Sequence, residues 1–389
     1  MLFSIAMMLL CGMVFGWICK SLRLPSLLGM IVTGVILGPY MLNLIDASIL
    51  NISSEIRRIA LIIILMRAGL TLDVGDLKKV GRPAILMCFV PACFEILGMI
   101  LIAPHIFSIS ILDAAIMGTV VAAVSPAVIV PKMIKLIEEG YGTKKGIPQL
   151  ILAGASVDDV FVIVLFTVFT GLAKGESISA MRFINIPLSI VSGIFAGLLV
   201  GVILAEFFKR IHVRDTVKVM LLLCVAFFFV TIEDFISNRI AFSGLIAIMG
   251  MGVALQWKRK VVTERLSVKF NKLWVCAEIM LFVLVGATVD LHYVFSAGFG
   301  AVVLIIAVLL FRMAGVYCCL IKTNLNLKER LLCVFAYMPK ATVQAAIGGI
   351  PLSMGLSCGN LVLTVAVLAI LITAPLGAFL IDISYKKCL

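Results

Sequence analysis

Residues 147–171 read IPQLILAGASVDDVFVIVLFTVFTG, an apolar run with two adjacent carboxylates, Asp158 and Asp159, at its middle. At 1.5 Å per residue a helix of that length reaches roughly 37 Å, enough to cross a bilayer. A carboxylate at bilayer depth costs about 2.5–3.5 kcal/mol even on the lenient insertion scale. Two in succession therefore imply a polar cavity and a function that needs negative charge inside the membrane.

The rest of the chain has the same character. Of its 389 residues 63% are hydrophobic and 13% charged, and mean hydropathy is +1.24, which excludes a soluble globular protein and predicts an all-α polytopic membrane protein. Apolar segments of spanning length fall at 2–19, 25–44, 55–72, 83–104, 111–136, 147–171, 183–209, 216–235, 239–257, 270–290, 293–321, 328–354 and 358–381, which makes thirteen expected transmembrane helices. The odd count puts the termini on opposite sides, and basic residues orient them. Of 32 Lys and Arg, 24 lie in or beside the connections after odd-numbered spans or near the C-terminus; Arg57, Arg58, Lys174, Arg182 and Arg239 lie at or near the opposite ends, and Arg67, Arg312 and Lys340 are set apart within spans. The N-terminus is expected outside, and the C-terminus, with a short tail at 382–389, in the cytoplasm.

The net charge of +12 is concentrated in short cytoplasmic loops such as Lys258-Arg259-Lys260. There it sets orientation and meets anionic lipid, so lipid is the expected partner and nucleic acid is not. The eleven cysteines lie mostly in or beside apolar spans without a Cys-x-x-Cys pair, and read as buried small hydrophobes rather than ligands. No cofactor and no obligatory protein partner is expected. The first span lacks a basic region ahead of it and is expected to be retained rather than cleaved. With short loops, regulation is expected to act through loops or the membrane, and a bacterial plasma membrane is the expected location.

Spans 1–6 and 8–13 form two six-helix units joined by a linker helix at about 183–209, and one intervening helix makes the second unit inverted. In transporters built this way, helices interrupted at matching positions of the two halves mark the substrate site near the midplane. Span 5 carries Ser125-Pro126 and then Pro131; its counterpart, span 12, carries Pro339 and Gly348-Gly349-Ile350-Pro351. Proline removes a backbone donor and clashes with the preceding turn, so both helices are expected to break and leave polar backbone facing a cavity. Glu95, Pro126, Asp159, Arg312, Pro339 and Lys340 all lie about 9–12 residues from the cytoplasmic ends of their spans, a shared layer.

Asp158 and Asp159 are about 100° apart on their helix, so their roles should differ. A buried carboxylate pair tends to retain a proton, and a cation arriving at the same oxygens must displace it. That competition is an antiport mechanism in its simplest form. Hard oxygens from the carboxylates, Ser125 and, one helical turn from Asp159, Ser156 suit sodium or lithium. Glu95 and Arg312 are expected to pair, with Arg312 to Asp158 as the alternative; an isolated Glu95–Arg312 pair predicts that Glu95→Gln together with Arg312→Gln recovers stability lost in Arg312→Ala. Lys340 is expected to balance charge. Glu233, Asp234, Glu278 and Asp290 read as solvated or capping groups, Arg67 as a snorkelling side chain, and His105, His212 and His292 as loop residues outside any relay.

The run Ala155-Ser156-Val157-Asp158-Asp159-Val160, the Ser125-Pro126-Ala127-Val128 break and Met338-Pro339-Lys340-Ala341-Thr342-Val343-Gln344-Ala345-Ala346-Ile347-Gly348 resemble the NHA-type sodium/proton antiporters of the monovalent cation:proton antiporter superfamily. The resemblance covers nearly the whole chain as a cation/proton exchanger domain at 1–381. It implies a homodimer, a dimerisation part at about 1–72 and 216–290, and a mobile elevator-like core at about 83–171 and 293–381. Two crossed, unwound helices, spans 5 and 12, would carry the breaks at Pro126, Pro339, Thr342, Gly348 and Gly349. By the same pattern Asp159 is the principal carrier of ion and proton, Asp158 assists, and Arg312 is the family's basic residue. Many bacterial relatives carry lysine there; arginine does not deprotonate, which bears on protons moved per cycle. The rival functions are potassium/proton exchange and, from another class, a cation channel or sensor on the same fold. An enzyme is disfavoured because no nucleophile–base pattern lies in the charged layer.

Overall fold

The computed structural model describes residues 1–22, 24–72, 81–173, 180–236 and 242–389, with all their side chains but those of 156, 160, 180–187 and 291–297. Every regular element among them is helical. In chain order they are α1 (Leu2–Ser21), α2 (Ser26–Leu37), α3 (Ala47–Asn51), α4 (Ser53–Thr71), α5 (Arg82–Met87), α6 (Val90–Phe107), α7 (Ile111–Ala122), α8 (Pro126–Glu138), α9 (Ile147–Ala173), α10 (Ala180–Arg210), α11 (Asp215–Ile236), α12 (Gly244–Lys258), α13 (Lys260–Ala287), α14 (Leu291–Cys319), α15 (Leu327–Ala336), α16 (Thr342–Ile347), α17 (Ile350–Ser353) and α18 (Gly359–Cys388), with a 3-10 turn at Thr143–Lys145.

Among the described residues nine helical stretches are long and apolar enough to cross a membrane, fewer than the thirteen segments expected, for local reasons. Helix α2 stops after 12 residues, where Gly38-Pro39 ends the run; α12 starts only at Gly244 and has 15. Helix α4 carries Glu55, Arg57, Arg58 and Arg67 along its 19 residues, and the segment 328–354 is divided among α15, α16 and α17. The basic stretch read as a cytoplasmic loop is mostly helix, since α13 begins at Lys260 and only Arg259, at φ −141° and ψ 56°, separates it from α12. Residues 382–388 continue α18, whose Tyr385 meets the ring of Tyr141 edge-on at 5.2 Å. Arg23, Lys174 and Arg239 lie outside the described residues, as do the side chains of Arg182 and His292.

The chain forms two compact units. The first comprises Met1–Arg57, Lys79–Lys174 and Glu278–Leu389 and contains every candidate site residue. Within it α2 and the end of α13 touch backbone to backbone: a Cβ on Gly34 would lie 2.0 Å from Val283 O, and one on Gly286 2.1 Å from Ile31 O. Such close approach is how helices gain packing energy without a hydrophobic drive between them. The same device seats α6 on α14, where Phe311 covers Gly98 and Gly315 faces Pro91 and Phe94. Glu95 and Arg312 flank these contacts on their two helices and so are brought face to face.

The second unit comprises Arg58–Lys78 and Gly175–Ala277. Its centre is the pairing of α10 with α12, where Gly193, Gly197 and Gly201, four residues apart, leave room for the carbonyls of Ser243, Ala247 and Met251. Glu233 accepts the Gly244 amide at 2.9 Å and caps α12. Asp234 pairs with Arg58 at 2.8 Å.

Candidate functional site

Helix α7 ends at Ala122 and α8 begins at Pro126, because proline lacks an N–H and disfavours a helical conformation at Ser125. The residues between are extended, with Ala123 at φ −69°, ψ 142° and Ser125 at φ −92°, ψ 109°. A second interruption separates α15 from α16 and contains Pro339 and Lys340, with Thr342 opening α16. Gly348 and Gly349 fall between α16 and α17, where a break was expected. Their backbones lie in the right-handed region, at φ −59°, ψ −29° and φ −90°, ψ −3°, so the two short helices meet through a turn rather than an extended stretch.

The two interruptions touch, the Ser125 amide donating to Pro339 O at 2.8 Å. The backbone groups exposed at Val121–Val124 are met by side chains from distant parts of the unit. Gln344 Nε2 donates to Val121 O at 3.0 Å and to Ala123 O at 2.7 Å. Asp158 Oδ2 accepts from the Val124 amide at 2.9 Å. Arg312 Nη1 donates to Ala122 O, with Lys340 Nζ 3.5 Å from the same oxygen, while Arg312 Nε donates to Tyr337 O at 2.6 Å. Arg312 thus binds the carbonyl end of both interrupted helices, α7 and α15, where the helix dipole favours a cation.

The charged layer is one network. Glu95 Oε2 receives Arg312 Nη1 at 2.8 Å and Lys340 Nζ at 2.5 Å, and Asp158 Oδ2 receives Arg312 Nη2 at 2.9 Å. The two partners considered for Arg312 are therefore both engaged. All five charged groups, Asp159 included, are at most 6% exposed, so they face the interior of the unit rather than lipid. Pro339 lies against Gly377 of α18, and the Lys340 amide donates to Thr373 Oγ1 at 2.9 Å, which fixes the second interruption on that helix.

What this leaves uncommitted is oxygen. Among the described residues Ser125 Oγ, Thr342 Oγ1, Gln344 Oε1, Glu95 Oε1, Asp158 Oδ1 and Asp159 Oδ1 are buried without a hydrogen-bond partner. Buried polar atoms are normally satisfied, and a set of hard neutral and anionic oxygens without nitrogen or sulfur suits an alkali cation. No cluster of three His, Cys, Asp or Glu side chains able to hold a metal ion occurs among the described residues. The side chain of Ser156 lies outside them.

Sequence reasoning named Ser125, Thr342, Glu95, Arg312, Lys340 and both aspartates but gave no part to Gln344 or Tyr337, although both border or lie in the quoted motif. The available signal was a large polar side chain in a run otherwise apolar. Tyr337 lies beneath the Arg312 guanidinium, 5.6 Å from ring centroid to Cζ, with its Oη against Gly154, one turn before Asp158.

The family model described as sodium/hydrogen exchanger, transmembrane, matches residues 5–383. The chain is 32% identical to human sodium/hydrogen exchanger 9B2 over 98% of its own length and 74% of the relative's. It is 33% identical to human sodium/hydrogen exchanger 9B1 over 94% and 73%. Its fold is similar to the structure of the sodium proton antiporter MjNhaP1 from Methanocaldococcus jannaschii at pH 8, with a TM-score of 0.88, 20% identity, and coverage of 99% of this chain and 97% of that one.

Proposed function

Since the chain belongs to the transmembrane sodium/hydrogen exchanger family, and is thus a multi-pass cation/proton antiporter rather than an enzyme, we propose that it exchanges Na⁺ or Li⁺ for H⁺ by alternating access at Asp159. The observation that carries this reading is the division of labour between adjacent carboxylates. Asp158 Oδ2 is committed to Arg312 and to the Val124 amide, whereas Asp159, equally interior, has no hydrogen bond among the described residues. A carboxylate held by a guanidinium is a poor exchange site, while an unpaired one in a layer that also holds uncommitted oxygens on Ser125, Thr342 and Gln344 must be neutralised by a proton or a cation. Only one of these occupies it at a time, and that couples the two fluxes.

In this reading thirteen spans cross a bacterial plasma membrane with the N-terminus outside, in two inverted repeats. Two protomers form a homodimer surrounded by lipid, and the core moves as an elevator against the dimerisation part. Potassium/proton exchange is the runner-up, since oxygen ligands alone do not exclude the larger ion; a channel or sensor is disfavoured by the buried unpaired carboxylate. Proteoliposomes with an internal pH dye test the choice. Sodium and lithium should each drive proton movement, Asp159→Asn should abolish it while the protein stays folded, and a response to potassium alone, or sodium uptake indifferent to a proton gradient, would overturn the proposal.

A further inference from the structure

We propose that Arg57 is a positioning residue whose unpaired charge opposes closure of the external side, so that it sets the balance between the two orientations of the ion site. This deepens the antiport reading and rests on it. By sequence Arg57 belonged to a short outer connection. In the structure it lies in the first turns of α4, only 3% exposed.

Its surroundings differ from those of the other buried arginine. Arg312 meets two carboxylates and two carbonyls. Among the described residues Arg57 makes one hydrogen bond, Nε to Ser53 O of its own helix at 3.2 Å, and no ion pair, and Nη1 is enclosed with no partner. The surface it rests on is Gly349. A Cβ there would lie 2.2 Å from Nη1 and 3.0 Å from both Cζ and Nη2, and these are its three nearest atoms. The backbone of Gly349, at φ −90° and ψ −3°, accepts any L residue. Its lack of a side chain is therefore explained by the guanidinium lying across it.

Burying a cation without a counter-charge is unfavourable. The conformation that seats Arg57 on Gly349 thus carries a cost that vanishes once the two separate and the guanidinium regains water. In the proposed elevator, where the core at about 293–381 moves against the part at about 1–72, Gly349 moves relative to α4. The charge acts as a spring. It destabilises the externally closed conformation and keeps the externally open one populated.

The apparent affinity on each side scales with the fraction of protein open to that side, so the ratio of external to cytoplasmic KM for Na⁺ follows the closed-to-open ratio. That ratio is measured in right-side-out and everted vesicles. Arg57→Met keeps the apolar stem, removes the charge and should raise it about tenfold. Gly349→Ala places a methyl where the guanidinium lies, hinders the same conformation and should lower the ratio; adding Arg57→Met to it should raise the ratio again. If both single variants move the ratio in the same direction, or neither moves it by more than about twofold, the spring is refuted and Arg57 is packing alone. Absence of sodium-dependent proton flux in the unaltered protein would instead remove the antiport reading, a failure visible before any variant is made.

Discussion

Replacing Arg312 by glutamine tests whether the charged layer is a pair or a network. Removing one partner of a buried ion pair costs about 3–5 kcal/mol, a large share of the 5–15 kcal/mol typical of folded proteins. Here the loss divides among four acceptors: Glu95, Asp158, Ala122 O and Tyr337 O. Glu95 is the least affected, because Lys340 Nζ stays 2.5 Å from its Oε2. Asp158 keeps only the Val124 amide, and Tyr337 O loses its side-chain donor, each unsatisfied group costing about 1–3 kcal/mol. An isolated Glu95–Arg312 pair would let Glu95→Gln restore what Arg312→Gln lost. The network predicts the reverse: neutralising Glu95 leaves Asp158 and both carbonyls short and deprives Lys340 of its counter-charge, so the double variant should remain destabilised by at least about 3 kcal/mol. Thermal and denaturant unfolding in detergent, read by size-exclusion of the folded fraction, measures the three proteins side by side. Full recovery in the double variant would refute the network.

Three further outcomes follow from particular contacts. The proposed competition of proton and cation for Asp159 predicts that the apparent KM for Na⁺ rises about tenfold per unit of added acidity once the site is mostly protonated, and a KM constant with pH in fluorescence-based flux assays would contradict a shared site. Gly154→Ala would place a Cβ 2.0 Å from Tyr337 Oη and should cost about 1–3 kcal/mol through overpacking; Tyr337→Phe, which deletes the clashing and otherwise unpartnered oxygen, should recover most of it in the same unfolding assay. Three carboxylates against Arg312 and Lys340 leave the layer one negative charge, which a single Na⁺ or H⁺ neutralises, so exchange should be one-for-one. Its equilibrium sodium gradient should then ignore membrane voltage, whereas each uncompensated charge would add about 2.3 kcal/mol per 100 mV.

The chemistry-bearing residues were legible because a membrane makes charge conspicuous. Asp158, Asp159, Glu95, Arg312 and Lys340 interrupt apolar runs, and Ser125-Pro126 and Pro339 announce breaks through the missing N–H of proline. Helix lengths were less legible, because an apolar window does not distinguish helix from the turn at Gly38-Pro39 or from the extended approach to Gly244. Charge in turn hid helix, as at α13, whose first turns carry Lys260, Glu264 and Arg265 and three β-branched residues and are helical all the same. In the sequence Gly348 and Gly349 read as helix breaks; in the structure each also makes room for a neighbour, Gln344 O and Ala366 beside the first and Arg57 on the second. Composition records that a residue is small without saying what fills the space.

The same difficulty conceals which buried polar group is structural and which is functional, and partner accounting separates them. Arg312, Lys340 and Gln344 spend their donors on the carbonyls at 121–123 and on Glu95 and Asp158. These groups satisfy what the interruption of α7 exposes, so a helix can stop in mid-membrane without orphaned backbone. The cations so placed favour negative charge nearby, yet their recorded hydrogen bonds to carboxylates go to Glu95 and Asp158 and none to Asp159. Asp159 therefore feels two positive charges without a hydrogen bond to either, a setting that leaves its carboxylate free to choose between a proton and a metal cation. Transport in this account is a consequence of incomplete pairing, and supplying a partner should abolish it: Ser125→Lys, one residue from the Val124 amide that holds Asp158, would put a fixed positive charge into the layer of the aspartates and should stop both fluxes. A Ser125→Lys protein that still exchanged sodium for protons would show that the uncommitted carboxylate is not the carrier.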